Sequence, residues 1–245
     1  MANARELHSS VNRFWRRRFK ANWRAVFILQ EQEIIRRVKD AATVRSMHID
    51  IESLFNDWRK WNRIAIDKTI VTAEQSVESG IRLTAKLVSA NPETLLDQTV
   101  LRALGNKVVA RAALVNANTE EAIRSTLTRS MNAGASLGEI VDDLTNNVFV
   151  RSIVNRSDTI GQVMATQSIN SGSNSAMESL GVEMKQWFSM KDNRVRLAHI
   201  IADGQRVKIG EPFDVGFEDL QYPGDPNGSP WNIINCRCFV VPVKK

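Results

Sequence analysis

Two cysteines and one histidine near the end of the chain have the residue types best suited to chemistry. Cys236 and Cys238 are the only cysteines in the 245 residues, and His199 is the one histidine in the same region. Thiolate and imidazole are the usual ligands of zinc. Cys-x-Cys on a strand turns both sulfurs to the same face, because side chains alternate there. A structural zinc site takes four ligands. His8 and His48 lie far upstream, which leaves Asp192 to serve as the fourth. The same residues suit a second chemistry. A thiol beside an imidazole is a nucleophile and its base, with Cys236 activated by His199 or by Arg237. A third reading needs no chemistry: two small buried cysteines and a hydrogen-bonded histidine that close a small module. The spacing alone leaves all three open.

The stretch that carries these residues, Trp187 to Cys238, is dense in polar, aromatic and turn residues. Asp192, Arg194 and Arg196 alternate charge within it. Salt bridges that organise a loop-rich domain are the expected use, with one arginine pairing a carboxylate such as Asp225 or Glu211. Trp187 and Trp231 are expected to fill the small core.

The elements that must position these residues follow from pattern. The first 180 residues contain a single proline, Pro92, and few glycines before Gly134. Such stretches, rich in Ala, Leu, Arg, Glu and Gln, favour helix. Phe14, Trp15, Phe19, Trp23, Val26, Phe27, Gln30 and Ile34 recur at spacings of three and four, one stripe of a long helix. A second helix is expected from near Asp50 to Ser89, broken at Asn91-Pro92, with Pro92 in the first turn of the next helix. Thr119-Glu120-Glu121 has the composition of a helix start. Ser136 and Glu139 fit a capping box. A further helix from about Asn155 to Leu180 should stop at Gly181. Beyond residue 180 lie five of the six prolines and half of the twelve glycines. Short β-prone pieces at Met184–Ser189, Gln205–Ile209 and Cys238–Val243 are separated by turn signals such as Asp203-Gly204 and Asn227-Gly228.

Composition narrows the class. Apolar residues make up 43% of the chain and charged residues 24%, the balance of a folded globular protein. No apolar run approaches the roughly 18 residues of a membrane span, and the polar, basic N-terminus lacks a signal-peptide pattern. The net charge of +6 is local: residues 1–40 hold ten basic and four acidic residues, a difference equal to the whole. Arg13, Arg16, Arg17, Arg18, Lys20 and Arg24 interleave with aromatics there, a pattern that suits nucleic acid, an acidic groove, or a solvated face of a bundle. The chain shows no Gly-rich phosphate loop, no His-Glu-x-x-His and no Ser-His-Asp arrangement.

Taken in order, Trp187, Asp192-x-Arg194-x-Arg196, His199, Gly204, Pro212-Phe213, Tyr222-Pro223-Gly224-Asp225 and Asn235-Cys236-Arg237-Cys238 resemble the C-terminal domain of the phage Mu protein F-like family of head-morphogenesis proteins. The resemblance covers about residues 120 to 245 and includes Gly134-Ala135-Ser136-Leu137 before a helix. One part departs: the family often carries Ala-Arg-Thr-Glu on the helix before this module, where this chain has Met164-Ala165-Thr166-Gln167. The resemblance implies a minor capsid protein of a tailed phage, inside the virion near the portal after assembly in the host cytoplasm. Its implied partners are the portal, other capsid or scaffold proteins and packaged double-stranded DNA, with roles in assembly or genome delivery and no catalysis. The competing expectations are an internal DNA-binding protein and a toxin-like enzyme that uses the His/Cys module. The expected fold is α+β and predominantly helical. Long helices fill residues 1–117, and a module over 118–245 is helical to about residue 181 and then forms a small β-containing part.

Overall fold

The computed structural model describes residues 2–42 and 49–243; His48 lies outside them. The fold is α+β and predominantly helical, with the strands gathered near the C-terminus. The helices are α1 (Ala2–Ala42), α2 (Lys60–Val88), α3 (Gln98–Val109), α4 (Ala112–Asn132), α5 (Leu137–Asp143) and α6 (Ser157–Ser179), followed by the short α7 (Leu197–Ile201) and α8 (Pro230–Ile233). The strands are β1 (Met184–Phe188), β2 (Arg206–Lys208), β3 (Phe213–Asp214), β4 (Asp219–Leu220) and β5 (Phe239–Pro242).

The chain divides into two compact units that interleave in sequence. One holds Met1–Lys20, Ile70–Val109 and Asp158–Lys245; the other holds Ala21–Thr69 and Ala110–Ser157. The division expected between residues 117 and 118 falls inside α4. The physical reason is that α1 and α2 are long enough for each to give one stretch to each unit.

The apolar stripe of α1 is buried at Trp15, Phe19, Trp23, Val26, Phe27 and Ile34, while Phe14 stays exposed. In the second unit, Trp23 and Phe27 pack with ring centroids 5.6 Å apart, and Phe55, Trp58 and Trp61 form a second aromatic series. The helix expected from Asp50 to Ser89 is divided. The Asp50 carboxylate accepts the Glu52 amide and its carbonyl accepts the Ser53 hydroxyl, which favours a tight 3₁₀ turn at Glu52–Phe55 before α2 begins. Pro92 likewise opens a 3₁₀ turn, capped by the Asn91 side chain. Thr119-Glu120-Glu121 does not start a helix. It lies in the middle of α4, where the Thr119 hydroxyl donates to the Val115 carbonyl and Glu120 pairs with Arg124 one turn on. The capping box of Ser136 and Glu139 is present at the start of α5.

In the first unit the organising element is α6. It is lined with small and polar residues and almost wholly buried, including Gln162, Thr166, Gln167, Ser168, Asn170, Ser171, Ser173 and Asn174. Two glycines explain its close approach to α2. A Cβ on Gly172 would sit 2.1 Å from the Val77 carbonyl oxygen, and one on Gly80 would sit 2.0 Å from that of Ile169. Serines span the same contact: the Ser76 and Ser168 hydroxyls lie 2.6 Å apart, and Ser173 donates to the Gly80 carbonyl. α6 ends at Gly181 in the left-handed region, with Val182 N–H on the Met177 carbonyl and Gly181 N–H on that of Glu178, the paired closure that glycine there permits.

β1 then runs at the centre of an antiparallel sheet ordered β2-β1-β5, with Trp187 opposite Val240 and Phe188 opposite Phe239. A separate two-stranded ribbon pairs β3 with β4. Trp187, Phe213, Val215, Leu220, Cys236, Cys238 and Val240 form the small core between them.

Candidate functional site

The residues that carry the chemistry sit on α7, α8 and the extended segment before β5. Asn235 takes a left-handed turn (φ +57°) after α8, and the chain then enters the core. Side chains alternate from there. Cys236 and Cys238 turn inward and are 2% exposed, while Arg237 turns the other way and grips Asp192 with two bonds of 2.6 and 2.7 Å. The facing of the two sulfurs expected from Cys-x-Cys is therefore found, one step before the strand begins.

α6 holds this segment by its backbone. Gln162 and Thr166 both donate to the Cys236 carbonyl. Asn170 donates to the Cys238 carbonyl and accepts the Val240 amide, closing both sides of the strand entry. Asn170 also donates to the Pro223 carbonyl. The Thr166 hydroxyl, in the stretch Met164-Ala165-Thr166-Gln167, is one of these clamps. Ala165 and Gln167 are buried too, with the Gln167 amide donating to the Lys107 carbonyl. Tight packing recurs at Gly224 (φ +83°), where a Cβ would lie 3.0 Å from the Gln167 nitrogen.

His199 is buried on α7 and faces both sulfurs through one nitrogen. Nδ1 lies 3.3 Å from Cys238 Sγ and 3.6 Å from Cys236 Sγ, and Nε2 lies 3.3 Å from Asn232 Oδ1. The Asn232 amide is oriented by its own bond, Nδ2 donating to the Val215 carbonyl at 2.9 Å. Its oxygen therefore faces the imidazole, so Nε2 carries the proton and Nδ1 presents a lone pair to the thiols. Within the thiol pair, Cys236 ionises first. Its pKa is held down by a hydrogen bond from Cys238, whereas Cys238 is pushed up by the hydrogen bond with Cys236 and by burial. The Trp187 ring meets His199 and Phe213 edge-on, and its buried Nε1–H has no hydrogen-bond partner among the described residues.

Other expected residues fall elsewhere. Asp192 is not a fourth ligand, because Arg237 occupies it and holds its carboxyl down to about 2. Arg194 lies 3.8 Å from Asp192, and Arg196 donates to the Ile234 carbonyl. Neither arginine meets Asp225 or Glu211: Asp225 is buried and accepts the Gln221 and Asn227 amides, and Glu211 pairs with Lys208. Phe213 is in the core and Tyr222 packs against it. Trp231 does not fill the core; it is 74% exposed on α8, whose inner face is taken by Asn232 and Ile233. Of the basic residues on α1, Arg16 and Lys20 both pair with Asp158, Arg18 lies over the Phe14 and Trp15 rings, and Arg13, Arg17 and Arg24 are exposed.

Three functional-looking residues carried no signal in sequence. Asn232 fixes the imidazole, yet it follows an ordinary Ser-Pro-Trp turn. Lys185 is fully buried on β1 with its ammonium on Asn174 and Gln221, and burial lowers its pKa to about 8. His8, far upstream in sequence, stacks on Phe239 at 4.4 Å.

Residues 121–241 match the family described as phage Mu protein F like protein. The chain is also similar to the uncharacterized protein YqbB of Bacillus subtilis (strain 168), at 29% identity over 136 residues. That alignment covers 54% of this chain and 44% of YqbB, so the chain spans less than half of the relative it matches. No solved structure matches the chain. No helix among the described residues is long and apolar enough to cross a membrane.

Proposed function

We propose, from the premise that residues 121–241 are a phage Mu protein F-like module, that this protein is a minor head protein of a tailed bacteriophage. It binds the portal inside the capsid, assists assembly or genome delivery, and works by binding rather than by catalysis. The supporting observation is an apolar surface on the module itself. Leu197, Ile200 and Ile201 on α7, Phe217 at the β3–β4 turn, and Trp231 and Ile234 around α8 are all exposed. These segments adjoin: His199 meets Asn232, Arg196 reaches the Ile234 carbonyl, and a Cβ on Gly216 would lie 2.9 Å from that of Ala198. Phe217 is completely exposed and is held in the left-handed region at φ +69°. That backbone costs a bulky residue about 1 kcal/mol or more. Exposed apolar surface of this kind marks a protein-binding face.

The binding reading also agrees with the burial of the His199, Cys236 and Cys238 cluster, each 2% exposed. The test is co-sedimentation of the purified protein with assembled portal rings, with and without DNA. Binding at a defined ratio without DNA is expected, and the double variant Phe217→Ser, Trp231→Ala should lose it while keeping its thermal midpoint. No ring binding, with steeply salt-dependent DNA binding instead, would overturn the portal reading in favour of an internal DNA-bound protein. In that case Arg13, Arg17 and Arg24 become the residues to change.

A further inference from the structure

Three soft donor atoms converge in the core of the module. His199 Nδ1, Cys236 Sγ and Cys238 Sγ all lie within 4.8 Å of one another. The two nitrogen–sulfur separations are 3.3 and 3.6 Å. Zinc bonds of about 2.3 Å to sulfur and 2.0–2.1 Å to nitrogen at the tetrahedral angle require a separation of about 3.6 Å. The two nitrogen–sulfur edges are therefore close to those a zinc ion needs. We propose that His199, Cys236 and Cys238 hold a zinc ion, with a small non-protein ligand such as water in the fourth position.

The surrounding groups fit a metal better than the two other uses of the same atoms. A histidine that ligates metal through one nitrogen needs its other N–H held by an acceptor, and Asn232 Oδ1 is that acceptor. This Cys–His–Asn order also occurs in thiol nucleophile sites. Such a site, however, uses one thiol per imidazole and an open face. Here two sulfurs share one nitrogen and all three side chains are closed off from solvent. The orphaned Trp187 N–H adjoins Cys238. A neutral thiol is a weak acceptor for it, whereas a metal-bound thiolate carries the negative charge that strengthens such a bond. The ligand carriers are also rigid, since α6 clamps the carbonyls of both cysteines. The ion would staple α7 to the entry of β5, adding to the packing of Ala198 on the same core.

The experiment is metal analysis of the full chain purified in reducing buffer without chelator or metal-affinity resin, followed by titration of the stripped protein with Co²⁺. One zinc per chain is expected. Cobalt should give sulfur-to-metal charge-transfer absorption in the near ultraviolet and intense visible bands of a tetrahedral ion. Cys238→Ser should abolish both, and Asn232→Ala should weaken affinity by about 10–100-fold without changing the stoichiometry. If Cys238→Ser does not fold, the cobalt spectrum of the unaltered chain decides alone. A metal-free protein that shows no thiolate-to-cobalt absorption would overturn the proposal. Rapid alkylation of Cys236 in that protein would assign the thiol to nucleophilic chemistry, and a Cys236–Cys238 disulfide regained on air oxidation would assign the pair to redox chemistry.

Discussion

The two compact units both bury large rings, but they differ in what packs their central helices. The unit of Ala21–Thr69 and Ala110–Ser157 is built on large rings: Trp23, Phe27, Phe55, Trp58 and Trp61 fill it, and arginines lie over the rings, Arg124 on Phe55 and Arg156 on Phe27. Its ionic groups stay near solvent, where Glu33, Arg37, Asp57 and Lys60 form a network. The other unit also buries rings, among them Phe19, Trp187, Phe213 and Phe239, but the helix at its centre, α6, packs through glycine, serine, threonine, asparagine and glutamine. It gains backbone proximity and a set of buried hydrogen bonds to carbonyls of other segments. A ring-filled core tolerates adjustment of distance by repacking. A glycine-tight, hydrogen-bonded core does not, because each buried polar group left unpaired costs about 1–3 kcal/mol. The rigid solution is found where the cysteines and histidine must be held.

The largest expected effect tests that contrast directly. Gly172→Val forces a branched side chain onto the Val77 backbone and should cost about 4 kcal/mol or more, read as a lowered denaturant midpoint. Its counterpart in the other unit, Gly138→Ala on α5, meets open space and should stabilise the helix by up to about 1 kcal/mol. Equal and small effects at both positions would dissolve the distinction between the units.

A second, somewhat smaller effect concerns acid. His8 is buried with neither ring nitrogen hydrogen-bonded among the described residues, and burial lowers its pKa from 6.5 to about 3. Because the folded pKa is depressed, the unfolded chain takes up the proton first as pH falls. Stability is therefore full above about pH 6.5 and is lost as pH falls toward 3. About 3 kcal/mol should disappear between pH 7 and pH 4 by linkage. His8→Phe, which keeps the stack on Phe239, should remove that part of the pH slope in urea titrations at the two pH values. An unchanged slope would show that His8 finds a partner in solution.

The smallest effect belongs to the ionic network. Lys60 and Arg37 hold the Asp57 carboxyl down to about 2 through hydrogen bonds, but the side chain is half exposed. Asp57→Asn should cost no more than about 1 kcal/mol, and less as salt rises. A loss of several kcal/mol that salt does not change would mean that this unit, too, depends on fixed polar contacts.

Local signals were legible and long-range ones were not. The capping box at Ser136, the stop at Gly181, the stripe from Trp15 to Ile34 and the pieces that became β1, β2 and β5 each rest on neighbours within a turn or a strand. Thr119-Glu120-Glu121 misled for the same reason. Its composition suits a helix start, but burial of Thr119 and the Glu120–Arg124 pair serve a helix interior equally well. Trp231 was misplaced because a tryptophan among turns looks like core filler; only the seating of α8 decides that Asn232 and Ile233 turn inward instead.

What the sequence by itself determined is the helical class, the β-containing end, the alternation that turns Cys236 and Cys238 to one side, and the ordered motif that residues 121–241 share with the Mu protein F-like family. Only the tertiary structure decided that α6 is a core helix rather than a solvated one, that Asn232 orients His199, that Arg237 takes Asp192 away from the thiols, and that His8 returns to the C-terminal strand. Periodicity records which residues share a face. It carries no information about which distant backbone will come within 3 Å of a small polar side chain and make its burial favourable.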